Sequence, residues 1–477
     1  MLKTKENKII FFSVLVLACL VYINFITGYF SIDSSKIINL GYDGYAINYS
    51  FWDGRIVMGI LCMIANAMNL NLKVFYIILI CLSMLILSFT VLKLYTVISK
   101  YKKTGVKEKI ILAVLGFCYI FNFTTINSME FVECIVMSLS ILLYILVAEN
   151  IVIKKDVKKV ILYTFLAGIC YQGTINMLFI TAILFFFLEY KKGEKIDKKK
   201  LIFSIIGVII AVILNVVLKK VMEIIIGSTV CGERISGDIL GNITKIIQGM
   251  YFLIIESLYL FPKYAYISFN AISLLIIFIY CVKNKNIKIW YNAFFLFIMS
   301  IVSSFVLLIV FDGIQNGNGR VFGSIGASFS VLWIYVYIKT DIFKEKSLLK
   351  YLSVFVITCF MILNLYNTVE KSGNLKESNN IEKELSLKIM NEITRYEAET
   401  NEKIKYIKIK YQLAEARNLS PLVITRNSII TSTFDEKIIK IYTDRDLEKL
   451  FFEEEDLEKV KEEDIKCEKD TVYVLVY

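Results

Sequence analysis

The chain contains no histidine, so any proton transfer it performs must fall to its carboxylates. The acids placed among aromatic and glycine neighbours are the first to consider. Asp43 lies in LGYDGYA, where Gly41 and Gly44 let backbone and ligand approach closely. An Asp there can take a proton from an acceptor hydroxyl, and it can equally make an Asx turn. Downstream, SFWDGR sets Trp52, Asp53 and Arg55 together. A guanidinium can grip a phosphate or a carboxylate through two hydrogen bonds, and an indole offers a stacking face for a sugar; both also suit a membrane interface. Glu130 and Glu133 are spaced i, i+3, which on a helix puts both on one face. Glu133 stands in the apolar run FVECIVMSLSILLYILV, where an acid is costly and therefore a functional suspect, unless it reaches water at the interface. Tyr171 and Gln172 close another hydrophobic run and can hydrogen-bond a sugar or cap a helix. Arg320 lies in the glycine-rich stretch DGIQNGNGRVFGSIGA, which follows no strand and contains no GK[ST], so it is not a nucleotide loop. One arginine on such a loop can still clamp a lipid phosphate.

Long apolar runs separate these candidates, and the runs set the class. The chain is 57% hydrophobic, with mean hydropathy +0.64. Runs such as LIFSIIGVIIAVILNVVL are long enough to cross a bilayer core of about 30 Å. Segments 9–29, 73–97, 110–128, 131–148, 159–172, 174–190, 201–218, 264–282, 289–311, 323–339 and 350–368 read as about eleven transmembrane helices. The first is expected to stay as a helix rather than be cleaved as a signal. The net charge of +11 sits in short lysine-rich connections, SKYKKTGVKEK, IKKDVKK, KKGEKIDKKK, KNKNIK and KTDIFKEK, and at the N-terminus. That placement is a topology signal and argues against nucleic acid as a partner. By the positive-inside rule the lysine-rich connections and the N-terminus face the cytoplasm, across the cytoplasmic membrane. The connections 30–72, 129–130, 173, 219–263 and 312–322 then face outward, and the candidates gather at that surface. Lys219 and Lys220 fall on the wrong side of this scheme, which snorkelling to the interface can accommodate. The apolar segments 57–70 and 244–261 read as interfacial or half-inserted helices, the second being a candidate twelfth span.

The chain changes character after residue 369. Residues 380–399 carry Ile381, Leu385, Ile389 and Ile393 on one stripe and read as an amphipathic helix. Residues 403–410, 422–433, 437–442 and 471–476 read as strands, with a charged helix around 444–464. The expected architecture is therefore a polytopic α-helical membrane domain over 1–368 and a small outward α/β domain over 369–477. The ten cysteines are scattered without metal-ligand spacing, and no metal site or other cofactor is expected, although loop carboxylates leave Mg²⁺ or Mn²⁺ open. Cys231 and Cys467 are the two expected outside; a bridge between them has no support in the sequence.

The order of these pieces, YDGYA and SFWDGR in the first outer loop, then MEFVECIVMSLS, then YQG, then GRVFGSIGA, resembles the bacterial polytopic glucosyltransferases of the Gtr kind, members of the GT-C class of membrane glycosyltransferases. The resemblance covers most of residues 1–368, and the outward α/β tail is similar as well. It departs from the family pattern at the turn into the fourth span, where Glu133 and Cys134 stand, and in the first loop, where paired acids are reduced to Tyr42-Asp43. It implies transfer of a hexose, glucose above all, from a polyprenyl-phosphate donor to a cell-surface glycan outside the cytoplasmic membrane. It implies Asp43 as the catalytic base, with a lipid-phosphate role for Arg55 or Arg320. The residues by themselves also leave open a surface-polysaccharide polymerase, which would lean on more outer-loop arginines, and a lipid-linked-sugar flippase, which would line its span interiors with charge.

Overall fold

The structure, a computed structural model, describes the 477-residue chain except residues 1, 3, 29–30, 103–104, 190–197, 228–237, 256–259, 306–318, 412–435, 461–462 and 477. It is mostly helical. In chain order the helices are α1 Lys5–Val21, α2 Ile32–Tyr45, α3 Ile56–Ala67, α4 Leu72–Ile98, α5 Val106–Ile120, α6 Cys134–Glu149, α7 Val157–Cys170, α8 Asn176–Glu189, α9 Lys198–Ile226, α10 Ile239–Ile254, α11 Ala265–Lys283, α12 Ile287–Phe305, α13 Gly323–Lys339, α14 Leu348–Thr400 and α15 Glu436–Thr443. Among the described residues a four-stranded sheet follows α14, with β1 Tyr406–Tyr411, β2 Glu448–Leu450, β3 Ile465–Glu468 and β4 Thr471–Val476 in the order β2-β1-β4-β3.

Among the described residues seven helical stretches are long and apolar enough to cross a membrane: Leu72–Tyr101, Cys134–Lys154, Gln172–Glu189, Lys199–Ile226, Ala265–Lys283, Ile287–Phe305 and Leu348–Thr400. Of the remaining expected spans, 159–172 and 323–339 match the shorter helices α7 and α13, whereas 9–29 and 110–128 only overlap α1 and α5, which end at Val21 and Ile120. Several helices start at side-chain caps where the sequence turns polar: Asn71 accepts from Lys73 N at 2.9 Å, Asp156 from Lys159 N at 3.2 Å and Ser347 from Lys350 N at 3.4 Å. α13 is apolar all round and buried on nearly every side, which makes it the centre of the bundle, against α5, α8, α11 and α12. α9 is the opposite case. It packs on α7 and leaves long Ile, Val and Leu side chains exposed, the surface expected of a helix in contact with lipid.

Polar contacts sort the connections into two groups. At one end Lys109 pairs with Glu6 at 2.6 Å, Lys102 with Asp341 at 3.1 Å, Lys154 with Glu149 at 3.0 Å, and Lys339 donates to Leu188 O at 2.9 Å. These are the lysine-rich connections. At the other end Asn24 Nδ2 donates to Ser372 Oγ at 3.1 Å, Asn364 Nδ2 to Phe121 O at 2.7 Å, and Tyr76 Oη to Met129 O at 2.8 Å.

Three expectations need correction. The span at 350–368 and the amphipathic helix at 380–399 are one continuous helix, α14. Its buried positions, Asn364, Asn367, Thr368, Lys371, Ser372, Leu375, Ser378, Asn379, Glu382, Ser386, Ile389 and Ile393, recur at three- and four-residue steps without a break. No proline interrupts it, and its polar middle is buried against the bundle rather than left as a linker. Residues 437–442 form helix α15, not a strand; Ile438 and Ile439 pack into the sheet core beside Ile407, Val472 and Val474. The stretch 444–464 is not a long charged helix but holds β2 and a 3-10 helix at Glu454–Val460. The strands at 403–410 and 471–476 form as expected, as the parallel pair β1 and β4. The expected strand at 422–433, Cys231 and most of the glycine-rich stretch before Arg320 lie outside the described residues.

Candidate functional site at one end of the helical bundle

The chain between α2 and α3 is shaped by two glycines. Gly41 kinks α2 with φ 70°, and Gly54 has φ 74° at the end of a π-helical turn spanning Ala46–Phe51. Backbone hydrogen bonds from Asp53 N to Tyr49 O, 3.0 Å, and from Arg55 N to Ser50 O, 2.7 Å, fold the turn back on itself. A side chain at Gly54 would also meet Gln172 and Lys219, so α9 and the end of α7 close over this turn.

The fold swings Arg55 inward. Its Nη1 donates to both Glu133 oxygens, at 2.6 Å each, and its Nη2 lies 3.0 Å from Asp53 Oδ2. Tyr45 Oη donates to Glu133 Oε1 at 3.2 Å. Glu133 is fully buried and Arg55 only 8% exposed, so the charges are held by one another rather than by water. Burial works against the Arg55 charge, but Glu133 and Asp53 outweigh it and hold the guanidinium protonated well above its ordinary range. The cation between the two carboxylates is thus the guanidinium itself.

Aromatic rings extend the cluster. Arg55 Cζ lies 5.1 Å from the Tyr171 ring centroid; Tyr171 packs with Phe131 and Met137; and Arg320 Cζ lies 4.4 Å above the Phe131 ring. Two guanidiniums therefore flank one aromatic pair. Gln172 Nε2 donates to Asp53 O and Gly54 O, both at 3.4 Å. Asp53, Arg55, Glu133, Tyr171, Gln172 and Arg320, drawn from four separate stretches of chain, meet here. Trp52 is half-buried within the same turn.

Two candidates stand apart. Glu130 and Glu133 do not share a helical face, because residues 130–133 are a turn between a single helical turn, Ile126–Met129, and α6. Glu130 is buried with Asn127, whose Nδ2 donates to it at 2.8 Å, and it acts electrostatically on buried Lys371 of α14. Asp43 is exposed on α2 and accepts a hydrogen bond from Asn66 Nδ2 of α3 at 2.6 Å. The charges of Asp43 and Glu133 both reach Cys62 of α3. Tyr45, Phe131, Asn66, Lys219 and Lys371 are not among the candidate site residues that the sequence offers. Lys219 carried a usable signal, a lysine on the wrong side for the topology. The others are ordinary residue types whose partners are remote in sequence.

No protein-family model matches the chain, and no curated protein matches it.

Proposed function

We propose that the chain is a membrane glycosyltransferase of GT-C-like architecture with about eleven spans. In this reading it moves a hexose, glucose first, from a polyprenyl-phosphate donor to a cell-surface glycan on the outer face of the cytoplasmic membrane. The observation that carries the reading is the convergence of Asp53, Arg55, Glu133, Tyr171, Gln172 and Arg320 at the end of the bundle opposite the lysine-rich connections. A donor whose tail stays in lipid and whose phosphate and sugar stand at the surface matches a site of that kind. Arg55 and Arg320 are the groups for the donor phosphate, and Trp52 and Tyr171 supply faces for the sugar.

The acceptor hydroxyl attacks the anomeric carbon, the bond from that carbon to the phosphate oxygen breaks, and the hydroxyl proton passes to a carboxylate. Asp43 suits the proton better than Glu133. Both oxygens of Glu133 are engaged by Arg55, whereas Asp43 is exposed and oriented through one oxygen by Asn66. Glu133 and Asp53 then position Arg55. The test is transfer by purified protein supplied with radiolabelled polyprenyl-phosphate-glucose and cell-surface glycan. Asp43→Asn is expected to abolish transfer while the protein remains folded. Full activity in that variant would remove Asp43 as the base, and no transfer from any polyprenyl-phosphate hexose would remove the function.

A further inference from the structure

A cavity of about 910 Å³ opens between α2 and the sheet domain. It is lined by Asn39 of α2, by Lys403–Lys405 leading into β1, by Glu436 and Lys440 of α15, and by Arg445–Lys449 leading into β2. Its size is at the upper end of the range of about 300–1,000 Å³ seen for small-ligand sites, more than one hexose needs. Five cations face three carboxylates there. The excess is local, because residues 401–477 as a whole carry more Asp and Glu than Lys and Arg.

Part of this charge has a structural use. Arg445 Nη2 binds Glu397 at 2.5 Å and Ile404 O at 2.8 Å, and Lys440 pairs with Asp446 at 3.1 Å. Lys403, Lys405 and Lys449 are exposed and have no carboxylate at ion-pair distance among the described residues. A lysine on an edge strand such as β2 guards against strand addition, which accounts for Lys449 alone. Lys403 and Lys405 precede β1, an interior strand that needs no such guard. Among the described lining residues cations outnumber carboxylates by two, and that excess raises the local concentration of anions there.

The other wall of the cavity belongs to α2, the helix that carries Asp43. Asn39 lines the cavity and Asp43 lies beyond the Gly41 kink on the same helix. The cavity and the proposed base are thus four residues apart along one segment of chain.

We propose that this cavity is the acceptor subsite and that the acceptor is an anionic glycan, one bearing carboxylate or phosphate groups that Lys403, Lys405 and Lys449 bind. The word acceptor rests on the glycosyl-transfer reading; the binding of an anionic glycan does not. The experiment measures equilibrium binding of a fluorescent oligogalacturonate and of an uncharged maltooligosaccharide of equal length to the full chain in uncharged detergent. The oligogalacturonate is expected to bind the more tightly. Its Kd should rise at least tenfold in the triple variant Lys403→Gln, Lys405→Gln, Lys449→Gln, and also in about 0.5 M salt, where screening confines charge interactions to a few ångströms. Lys449→Glu alone, at an exposed position, should weaken binding in the same direction and serves if the triple variant does not fold. Equal affinity for the uncharged probe, or unchanged affinity in both variants, overturns the proposal. It also falls if the variants lose only association with phosphatidylglycerol vesicles, which would make the patch a membrane contact. Retained oligogalacturonate binding in a chain that transfers no sugar would remove the glycosyl-transfer reading and leave the anionic-glycan site standing.

Discussion

Arg55 is held by two carboxylates, of which Glu133 is fully buried, and that decides what its removal does. A buried ion pair adds little net stability, because desolvation offsets its attraction, but breaking one strands the remaining charge at a cost of about 3–5 kcal/mol. Glu133→Ala and Arg55→Ala are each expected to destabilise by that order, and the double variant by much less than their sum. A double-mutant cycle on unfolding in detergent checks this, and additive losses would show that the two side chains do not depend on each other. Gly54→Ala should cost about 1–2 kcal/mol from its left-handed backbone alone, with further loss from contact with Gln172, read in the same assay. In the sheet domain the charge logic becomes a pH dependence. Lys408 Nζ lies 2.8 Å from Asp456, and although burial opposes the Asp456 charge, its hydrogen bonds to Lys408 and to the Glu453 backbone win and hold its carboxyl below the ordinary range. A depressed carboxylate pKa stabilises the fold above the unfolded value of about 3.9 and loses that contribution as pH falls through the lower folded value. Hydrogen-exchange protection of β1 and β4 should therefore fall in acid more steeply in the parent chain than in Asp456→Asn, which gives up the pair at every pH; identical profiles would rule out the pair as the cause.

α14 is the element that ties the two parts of the molecule together. With 53 residues it is roughly 80 Å long at 1.5 Å per residue. Its first half packs on the bundle, and Ile389 and Ile393 close the core of the sheet. Leu352 and Leu387 are exposed on it, so spin labels on Leu352→Cys and Leu387→Cys are expected about 52 Å apart if the helix is straight. A distance under about 40 Å in a pulsed dipolar measurement would mean that the helix breaks. The apolar run and the isoleucine stripe at its two ends were each legible in the sequence. Their continuity was not, because the residues between them, KSGNLKESNN, look like a linker until their burial against the bundle and sheet domain is seen. The same limit applies to the site. FWDGR and YQG announced themselves by residue type, but the partnership of Arg55 with Glu133 spans 78 positions and depends on the turn at 130–133, which an apolar run conceals. Residues 437–442 form a helix instead of the expected strand for a related reason: Ile438 and Ile439 serve the sheet core from a helix lying on it, and so short an apolar run carries no clear period.

At the scale of the whole molecule, sidedness decides which donor the proposed transfer could use. The lysine-rich connections touch one another at one end of the bundle, and Arg55, Glu133, Gln172 and Arg320 meet at the other. The sheet domain is joined to this second end, since Asn24 of the first connection meets Ser372 of α14 and Lys376 Nζ donates to Thr27 Oγ1 at 2.6 Å. If lysine excess marks the cytoplasmic side, the site and the sheet domain are both outside, the side that the proposed lipid-linked donor requires. Two single-cysteine chains, with the native cysteines replaced, test this in intact cells. Glu399→Cys, exposed at the end of α14, should react with a membrane-impermeant maleimide without permeabilisation, and Lys107→Cys, exposed in a lysine-rich connection, only after it. The reverse pattern would put Arg55 and its carboxylates on the cytoplasmic face. A nucleotide-activated sugar would then be the donor to try, and the cavity beside α2 would face cytoplasmic rather than surface polymers. Labelling of both positions in intact cells would mean that the lysine rule fails for this chain and that its two ends must be assigned one connection at a time.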